Sequence, residues 1–438
     1  MSLAQKARYN FMKDLGAPAL MWLRERQKKG RPFRPVSHLG PPLKCSRRLK
    51  EIMTRHYYLS RFSKGARPVA WVTSGAPVEI LRAFDFYTVY PENHGAVCGA
   101  QKEGPEICSE AEKKGYHSDL CSYARIDLGH AFSGKTPAGR LPRPDLLFCC
   151  NNICQTVLYW YKELSHYWDI PLIIFDTPYN YRDIRSGDIQ YMTRQFEEMI
   201  PELERISQKK YSDSQFSRVI SIARESAFLW GEVLATMKHR PAPMTIFDAF
   251  VHLAPIVSLR GLPVALDYYR LLLNELKERV EKGVGAVKNE RKRLMWDNIA
   301  VWFNLREWSH LFAERGMNFV AATYTNAWAE TIHYLDESSP LESMARAYSL
   351  VILNNNLNSR LNLMDRMIRD YAVDGLVILS LRSCKPYSVG QYDLRRLLAE
   401  RLGIKSVVIE SDMTDFRAYS EEQTRTRLEA LFEALESQ

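Results

Sequence analysis

The sequence lacks several patterns that assign a protein to a class at once. No apolar run approaches the ~20 residues of a membrane-spanning helix, so no membrane segment is expected. The start, MSLAQKARYNFMKDLG, lacks the apolar core of a signal peptide, and we expect a cytoplasmic protein. Eight cysteines are scattered over 438 residues without any CxxC pair, which excludes zinc-ribbon and ferredoxin patterns. A disulfide framework is equally disfavoured in such a chain, so the thiols are either buried or form a metal site from distant loops.

The composition is that of a globular protein, 46% hydrophobic and 25% charged. The net charge of +9 is partly concentrated between Arg24 and Lys50. We interpret this stretch as a solvated basic face and expect no nucleic-acid partner. The alternative is an anionic partner, either nucleic acid or a phosphorylated ligand such as coenzyme A.

One stretch, residues 144–178, predicts a strand, a helix and a second strand that build a parallel sheet. The apolar runs Asp145–Cys150 and Ile170–Phe175 have strand length, and Asn151 and Asn152 can cap the helix between them. Cys154 is then expected in the first turn of that helix, beyond the carboxyl end of the first strand. Open α/β sheets place their chemistry at this edge, and a helix N-terminus stabilises a thiolate.

The whole chain is predicted to be an α/β protein with two Rossmann-like parallel-sheet domains. Helix-periodic segments such as FSRVISIARESAFLWGEVLATM separate strand-rich regions. We expect four parts: a basic helical N-terminal region (1–65), a first α/β domain (66–185), a helical middle layer (186–290) and a second α/β domain (291–438). Cys384 is expected at a strand's carboxyl end in the last part.

Residues 98–144 show weaker helix and strand patterns than the stretches above. We expect an irregular segment from Cys98 to Cys121, a weak strand over Cys121–Leu128, and then a glycine-rich loop. Within that loop, Gly129–Thr136 fits the P-loop pattern GxxxxGK[ST] letter for letter. A working P-loop opens a helix, whereas PAGRLP follows here and is a poor helix, so we interpret the match as a flexible loop.

Three stretches resemble the 2-hydroxyacyl-CoA dehydratase and benzoyl-CoA reductase family: DLCSYARIDLG, LLFCCNNICQTVLYWYKELSHYWDIPLIIFDTP and SCKPYSVGQYDLRRLLAERLGIKSVVIESDMTD. The resemblance covers most of the chain. Within the family, YPENHGAVCGA and CNNICQTVLYWYKEL are most similar to the B subunits of ATP-dependent benzoyl-CoA reductases. Dehydratase subunits are the alternative.

The resemblance implies that Cys121, Cys154 and Cys384 bind one [4Fe–4S] cluster. Three thiolates leave one iron without a protein sulfur, and such an open position is what a catalytic metal needs. Cys98 is a fourth candidate, because some relatives hold a double-cubane cluster. Taken singly, each cysteine is better interpreted as a buried apolar residue. No role is predicted for Cys45, Cys108, Cys149 and Cys150, although only one of the last two is expected to face the core.

The same resemblance places Ser74 and Glu92 beside the cluster and the acyl-CoA. A serine hydroxyl can bond a thioester oxygen, and a carboxyl shielded from water can act as an acid. His94 is a candidate second proton donor. The alternatives are a turn-forming serine, an exposed glutamate and a loop histidine.

The activity that the resemblance implies is two-electron reduction of benzoyl-CoA to a cyclic dienoyl-CoA in anaerobic aromatic degradation. The implied partners are a homologous second catalytic subunit, an ATP-hydrolysing iron–sulfur component that supplies electrons, and ferredoxin as the upstream donor. Two alternatives stay open: a 2-hydroxyacyl-CoA dehydratase subunit, or a scaffold subunit whose cluster only relays electrons.

Overall fold

The computed structural model describes residues 2–28 and 36–437. Part of the predicted basic stretch, including Lys29, Arg31 and Arg34, therefore lies outside the described residues. Within those ranges, no helix is both long enough and apolar enough to cross a membrane.

The first half of the chain forms a four-stranded parallel sheet. Its strands are β1 Val69–Val72, β2 Tyr87–Val89, β3 Leu146–Cys150 and β4 Leu172–Phe175. They are ordered β2-β1-β3-β4, and all three pairings are parallel. Every residue of β3 is buried, as expected of a central strand that is covered on both faces.

The second half repeats this arrangement. Its strands are β5 Lys292–Asp297, β6 Met317–Ala322, β7 Gly375–Leu381 and β8 Lys405–Ser411. The order β6-β5-β7-β8 is that of the first sheet, again with parallel pairings throughout. The predicted α/β fold with two parallel sheets is thus confirmed.

Helices cover the sheets and fill the space between them. In chain order they are α1 Leu3–Phe11, α2 Ala17–Lys28, α3 Ser46–Ser60, α4 Val78–Ala83, α5 Pro91–Ala100, α6 Gly104–Glu112, α7 Ser122–Ser133, α8 Thr156–Trp168, α9 Ser186–Ser207, α10 Asp213–Ala235, α11 Ile246–His252, α12 Ala254–Ser258, α13 Pro263–Glu281, α14 Leu305–Ala313, α15 Thr323–Thr331, α16 Pro340–Ser349, α17 Leu357–Asp370, α18 Lys385–Ser388, α19 Gln391–Leu402 and α20 Glu421–Glu436. Helices α1–α3 precede the first sheet, and α9–α13 lie between β4 and β5.

Two local predictions between residues 98 and 133 are wrong. The segment expected to be irregular contains α6 and the end of α5, and the expected strand over Cys121–Leu128 is the start of α7. Pro105 sits in the first turn of α6, where its missing N–H leaves no helical hydrogen bond unmade, so it starts this helix rather than breaking one.

The P-loop match falls at the end of a helix, so the predicted flexible loop is wrong for residues 129–133. Helix α7 runs to Ser133, and Gly134 terminates it in the left-handed conformation with φ of 74°. A phosphate-binding loop needs the N-terminus of a helix, which has the opposite polarity. The Lys135 ammonium is engaged by the carboxylates of Glu106 and Glu110, at 2.8 and 3.0 Å.

Candidate active site

The two sheets turn their carboxyl edges toward one apolar cavity of about 120 Å³. In both sheets the strand order reverses direction between the first and third strands, β1 and β3 or β5 and β7. Ligands of open α/β sheets bind at such switch points. Ser74 follows β1, Cys154 follows β3, Ile299 follows β5 and Cys384 follows β7, and all four line the cavity.

Three cysteines from separate parts of the chain line this cavity: Cys121, Cys154 and Cys384. Cys121 is the residue that precedes α7, and Cys384 is the residue that precedes α18. Cys154 lies two residues before α8, so its predicted place in the first turn of that helix is wrong by a short distance. Its Sγ accepts the backbone N–H of Thr156, the first residue of α8, at 3.2 Å.

The loops that carry Cys121 and Cys384 contact each other directly. The Ser122 backbone N–H donates to the Ser383 hydroxyl at 3.4 Å, and that hydroxyl donates to the Asp412 carboxylate. Asp412 also accepts the backbone N–H groups of Thr414 and Asp415. One carboxylate after β8 thus fixes the positions of two cysteine-bearing loops from different halves of the chain.

Burial keeps the thiols of Cys121 and Cys384 protonated when no metal is bound. Burial raises the pKa of Cys121 well above its usual value, and the neighbouring Cys384 and Cys154 raise it further. Burial likewise raises the pKa of Cys384 to about 12, with Cys154 again contributing. A bound metal removes the thiol proton outright, so metal binding at this site would release protons.

Three thiols are the candidate metal ligands of this cavity. Within residues 2–28 and 36–437, no three His, Cys, Asp or Glu side chains lie close enough together to share one metal ion. A cubane cluster offers each thiolate a different iron, so its ligands stand farther apart than those of one ion. Three thiols around a common apolar cavity match that need, and all three are free of disulfides.

Glu92 brings a carboxyl group to the same cavity. It lies in the first turn of α5, and its Oε1 accepts the Ser74 backbone N–H at 3.0 Å. Its Oε2 is buried without a hydrogen-bond partner among the described residues. Burial raises the pKa of Glu92 to about 7, against the lowering effect of hydrogen bonds from Ser74. A carboxyl of this kind can carry a proton near neutral pH.

His94 and Cys98 lie outside the cavity. Both are fully buried on α5, with His94 Nε2 at 2.7 Å from the Thr136 hydroxyl and 3.4 Å from Cys98 Sγ. Burial lowers the pKa of His94 to about 3, so the ring stays neutral. Cys98 packs with Ile107, Cys108 and Ile126 in a small apolar cluster. The structure therefore brings Ser74, Glu92 and three of the four candidate ligands together.

The remaining cysteines are core residues. Cys149 and Cys150 are both buried in β3, whereas the sequence predicts that only one faces the core, because helices cover both faces of this sheet. Cys45 is buried next to the Tyr268 hydroxyl.

Sequence reasoning missed the wall that α15 contributes. Tyr324, Ala327, Trp328 and Thr331 line the cavity from one face of this helix. Their spacing of three and four residues is the signal that could have revealed a shared face. Tyr123, which lies two residues after Cys121, was also missed, and its hydroxyl accepts the Trp302 indole N–H.

A buried ion pair supports the loop that carries Ser74. Glu79 of α4 and Arg260, both fully buried, are joined at 2.7 Å. Tyr348, which lines the cavity, donates its hydroxyl to Glu79 at 2.6 Å and accepts from Arg260 at 2.7 Å. Asn152 donates to the carbonyls of Gly75 and Tyr348, so it ties this loop to α16 instead of capping a helix.

Comparison with known proteins identifies a family and several relatives of this chain. Residues 73–435 match the family described as "2-hydroxyglutaryl-CoA dehydratase, D-component". The (R)-2-hydroxyisocaproyl-CoA dehydratase alpha subunit of Clostridioides difficile is 37% identical over 84% of this chain and 90% of its own length. The (R)-phenyllactyl-CoA dehydratase alpha subunit of Clostridium sporogenes is 35% identical over 84% and 89%.

The B subunit of the benzoyl-CoA reductase of Thauera aromatica is also similar, at 29% identity over 85% of this chain and 89% of its own length. The family resemblance is therefore confirmed, while the narrower likeness to reductase B subunits is weaker than that to dehydratase alpha subunits. The chain belongs to the 2-hydroxyglutaryl-CoA dehydratase D-component family.

Proposed function

We propose that this chain is a subunit of a 2-hydroxyacyl-CoA dehydratase and that Cys121, Cys154 and Cys384 bind a [4Fe–4S] cluster at its active site. The observation that carries the proposal is the convergence of three thiols, Ser74 and Glu92 on one cavity between the two sheets. When bound, the cluster would supply single low-potential electrons and one iron position free of protein sulfur.

The residues of the chain have separable tasks in this reaction. Dehydration converts a 2-hydroxyacyl thioester to a 2-enoyl thioester and water, so a proton must reach the departing hydroxyl. Glu92, with a pKa of about 7, is the proposed donor. The Ser74 N–H holds Glu92 Oε1 in place, and the apolar walls keep bulk water from the reacting atoms.

The comparisons favour dehydration over ring reduction. Both dehydratase alpha subunits named above exceed the reductase subunit in identity, at 37% and 35% against 29%. Reduction of benzoyl-CoA is the second candidate, because that relative covers a comparable share of the chain. Under either function, we propose a homologous second subunit, an ATP-hydrolysing iron–sulfur component and ferredoxin as partners.

Turnover by the reconstituted complex separates these functions. The complex, with ATP and a low-potential reductant, is supplied with a 2-hydroxyacyl-CoA or with benzoyl-CoA under anaerobic conditions. We expect 2-enoyl-CoA from the first and no dienoyl-CoA from the second. Dienoyl-CoA as the main product would establish the reductase function instead. Turnover that persists after this chain has lost its cluster would show that the chain is a scaffold subunit without its own active site.

A further inference from the structure

Much of the wall of the cavity is apolar and aromatic. Trp160 and Val157 of α8 contribute from the first half, and Trp328, Ala327 and Ile332 contribute from α15 and the turn after it. An acyl chain in this cavity would therefore meet a largely apolar surface that both halves contribute.

The polar tips of three aromatic side chains on this wall are hydrogen-bonded to residues outside the cavity or deeper in the wall. The Trp160 indole N–H donates to Asp127 at 2.9 Å, and the Tyr348 hydroxyl donates to Glu79 at 2.6 Å. The Tyr123 hydroxyl accepts from Trp302. These rings consequently offer the cavity their faces and edges rather than hydrogen-bonding groups.

Positive charge is missing from the cavity wall. Of the residues in the described ranges, none of those that line the cavity is Lys, Arg or His. A nearby cation, Arg360, lies behind the Cys384 loop and donates to the carbonyls of Pro386 and Tyr387, both at 3.3 Å. Glu92 is the one acidic residue on the described wall, and it offers a terminal carboxylate no positive charge.

From these contacts we infer that the enzyme selects 2-hydroxyacyl-CoA substrates whose acyl side chain is apolar, branched aliphatic or aromatic, and discriminates against acyl chains that end in a carboxylate. The inference rests on the proposed function and specifies its substrate class. An apolar side chain gains from leaving water here, whereas a terminal carboxylate loses its hydration without gaining a partner.

The first test compares substrates on the whole reconstituted complex. We expect kcat/KM for 2-hydroxyisocaproyl-CoA and phenyllactyl-CoA to exceed that for 2-hydroxyglutaryl-CoA by at least about 100-fold, as for a buried charge left unpaired. Values within about tenfold of each other would overturn the inference.

Binding separates failure of this inference from failure of the proposed function. Isothermal titration of the complex with isocaproyl-CoA and with glutaryl-CoA, which lack the hydroxyl to be eliminated, reports selectivity without turnover. Tighter binding of isocaproyl-CoA upholds the inference even where no dehydration is seen, and that result would refute only the dehydratase assignment. Equal affinity would overturn the inference, whatever the enzyme turns over.

A matched pair of variants tests whether the lack of a positive side chain in the cavity wall causes the selectivity against a terminal carboxylate. Ala327 is half-buried on α15 and lines the cavity, so Ala327→Arg introduces a guanidinium there, while Ala327→Leu adds bulk without charge. Arginine and leucine are both good helix formers. We expect Ala327→Arg to raise the affinity ratio of glutaryl-CoA to isocaproyl-CoA by at least about tenfold, and Ala327→Leu to leave it unraised. Equal shifts in both variants would contradict the charge argument.

Discussion

Glu92→Gln provides a test of the site that requires no turnover. In the folded protein, Glu92 is only 8% exposed and its pKa rises from 4.5 to about 7 because burial penalises the charged form. This difference corresponds to about 3 kcal/mol of folding free energy. Glutamine retains a carbonyl oxygen for the Ser74 N–H and places an amide where Oε2 has no described partner.

The direction of the stability change follows from the pKa of Glu92 in the unfolded and in the folded chain. Below about pH 4.5 the Glu92 carboxyl is protonated in both the folded and the unfolded chain, so it does not change the free energy of unfolding. As the pH rises to about 7, the unfolded chain releases the proton while the folded chain retains it, so the native protein is progressively destabilised. Above that pH the full penalty applies, and Glu92→Gln should be more stable than the native protein by up to about 3 kcal/mol.

The assay is urea denaturation of the cluster-free protein at pH 4.5, 6 and 8, which yields the stability difference between native and variant. The exposed Glu103→Gln, at the junction between α5 and α6, serves as the control and should show no such pH trend. A variant that is less stable at pH 8, or a difference that does not change with pH, would refute the reasoning. In the loaded complex the same variant should lose turnover by roughly 10²–10⁴-fold, as expected of a general acid.

Two further predictions concern the surroundings of the site. Lys135→Ala should leave ATP-dependent turnover of the complex nearly unchanged, because its ammonium is paired with Glu106 and Glu110; a loss beyond about 100-fold in the intact complex would identify a nucleotide site. Arg260→Met should lower the free energy of unfolding by about 3–5 kcal/mol, since Glu79 is left buried and unpaired. Unchanged urea midpoints for this variant would show that the ion pair does not stabilise the loop.

The sequence predicted the sheets better than the walls of the site. Strands such as β3 and β7 are short apolar runs closed by turn residues, so their local pattern is enough, and the positions of Cys154 and Cys384 follow from the strand ends. The roles of Trp328 and Asn152 could not be predicted in this way. Each depends on how separate parts of the chain pack together, and an asparagine before a helix looks the same whether it caps that helix or ties a loop to another helix.

The same limit explains the misread segment before Cys121. Gly104 and Pro105 look like breaks in a local pattern, yet they begin α6, which packs against α7 so closely that a side chain at Gly129 would clash with the Ile107 carbonyl. Local propensity cannot reveal such a contact, because the contact exists only once both helices have formed.

The central claim is that three cysteines from separate loops hold one cluster. Its most direct test is the iron and sulfide content of anaerobically prepared protein, with electron paramagnetic resonance of the reduced state, for the native chain and for Cys121→Ala, Cys154→Ala and Cys384→Ala. Cys45→Ala and Cys108→Ala are matched controls, since both thiols are buried away from the cavity. We expect each of the first three variants to lose cluster iron and the cluster signal, and both controls to retain them. Full iron retention in all three cavity variants would contradict the account.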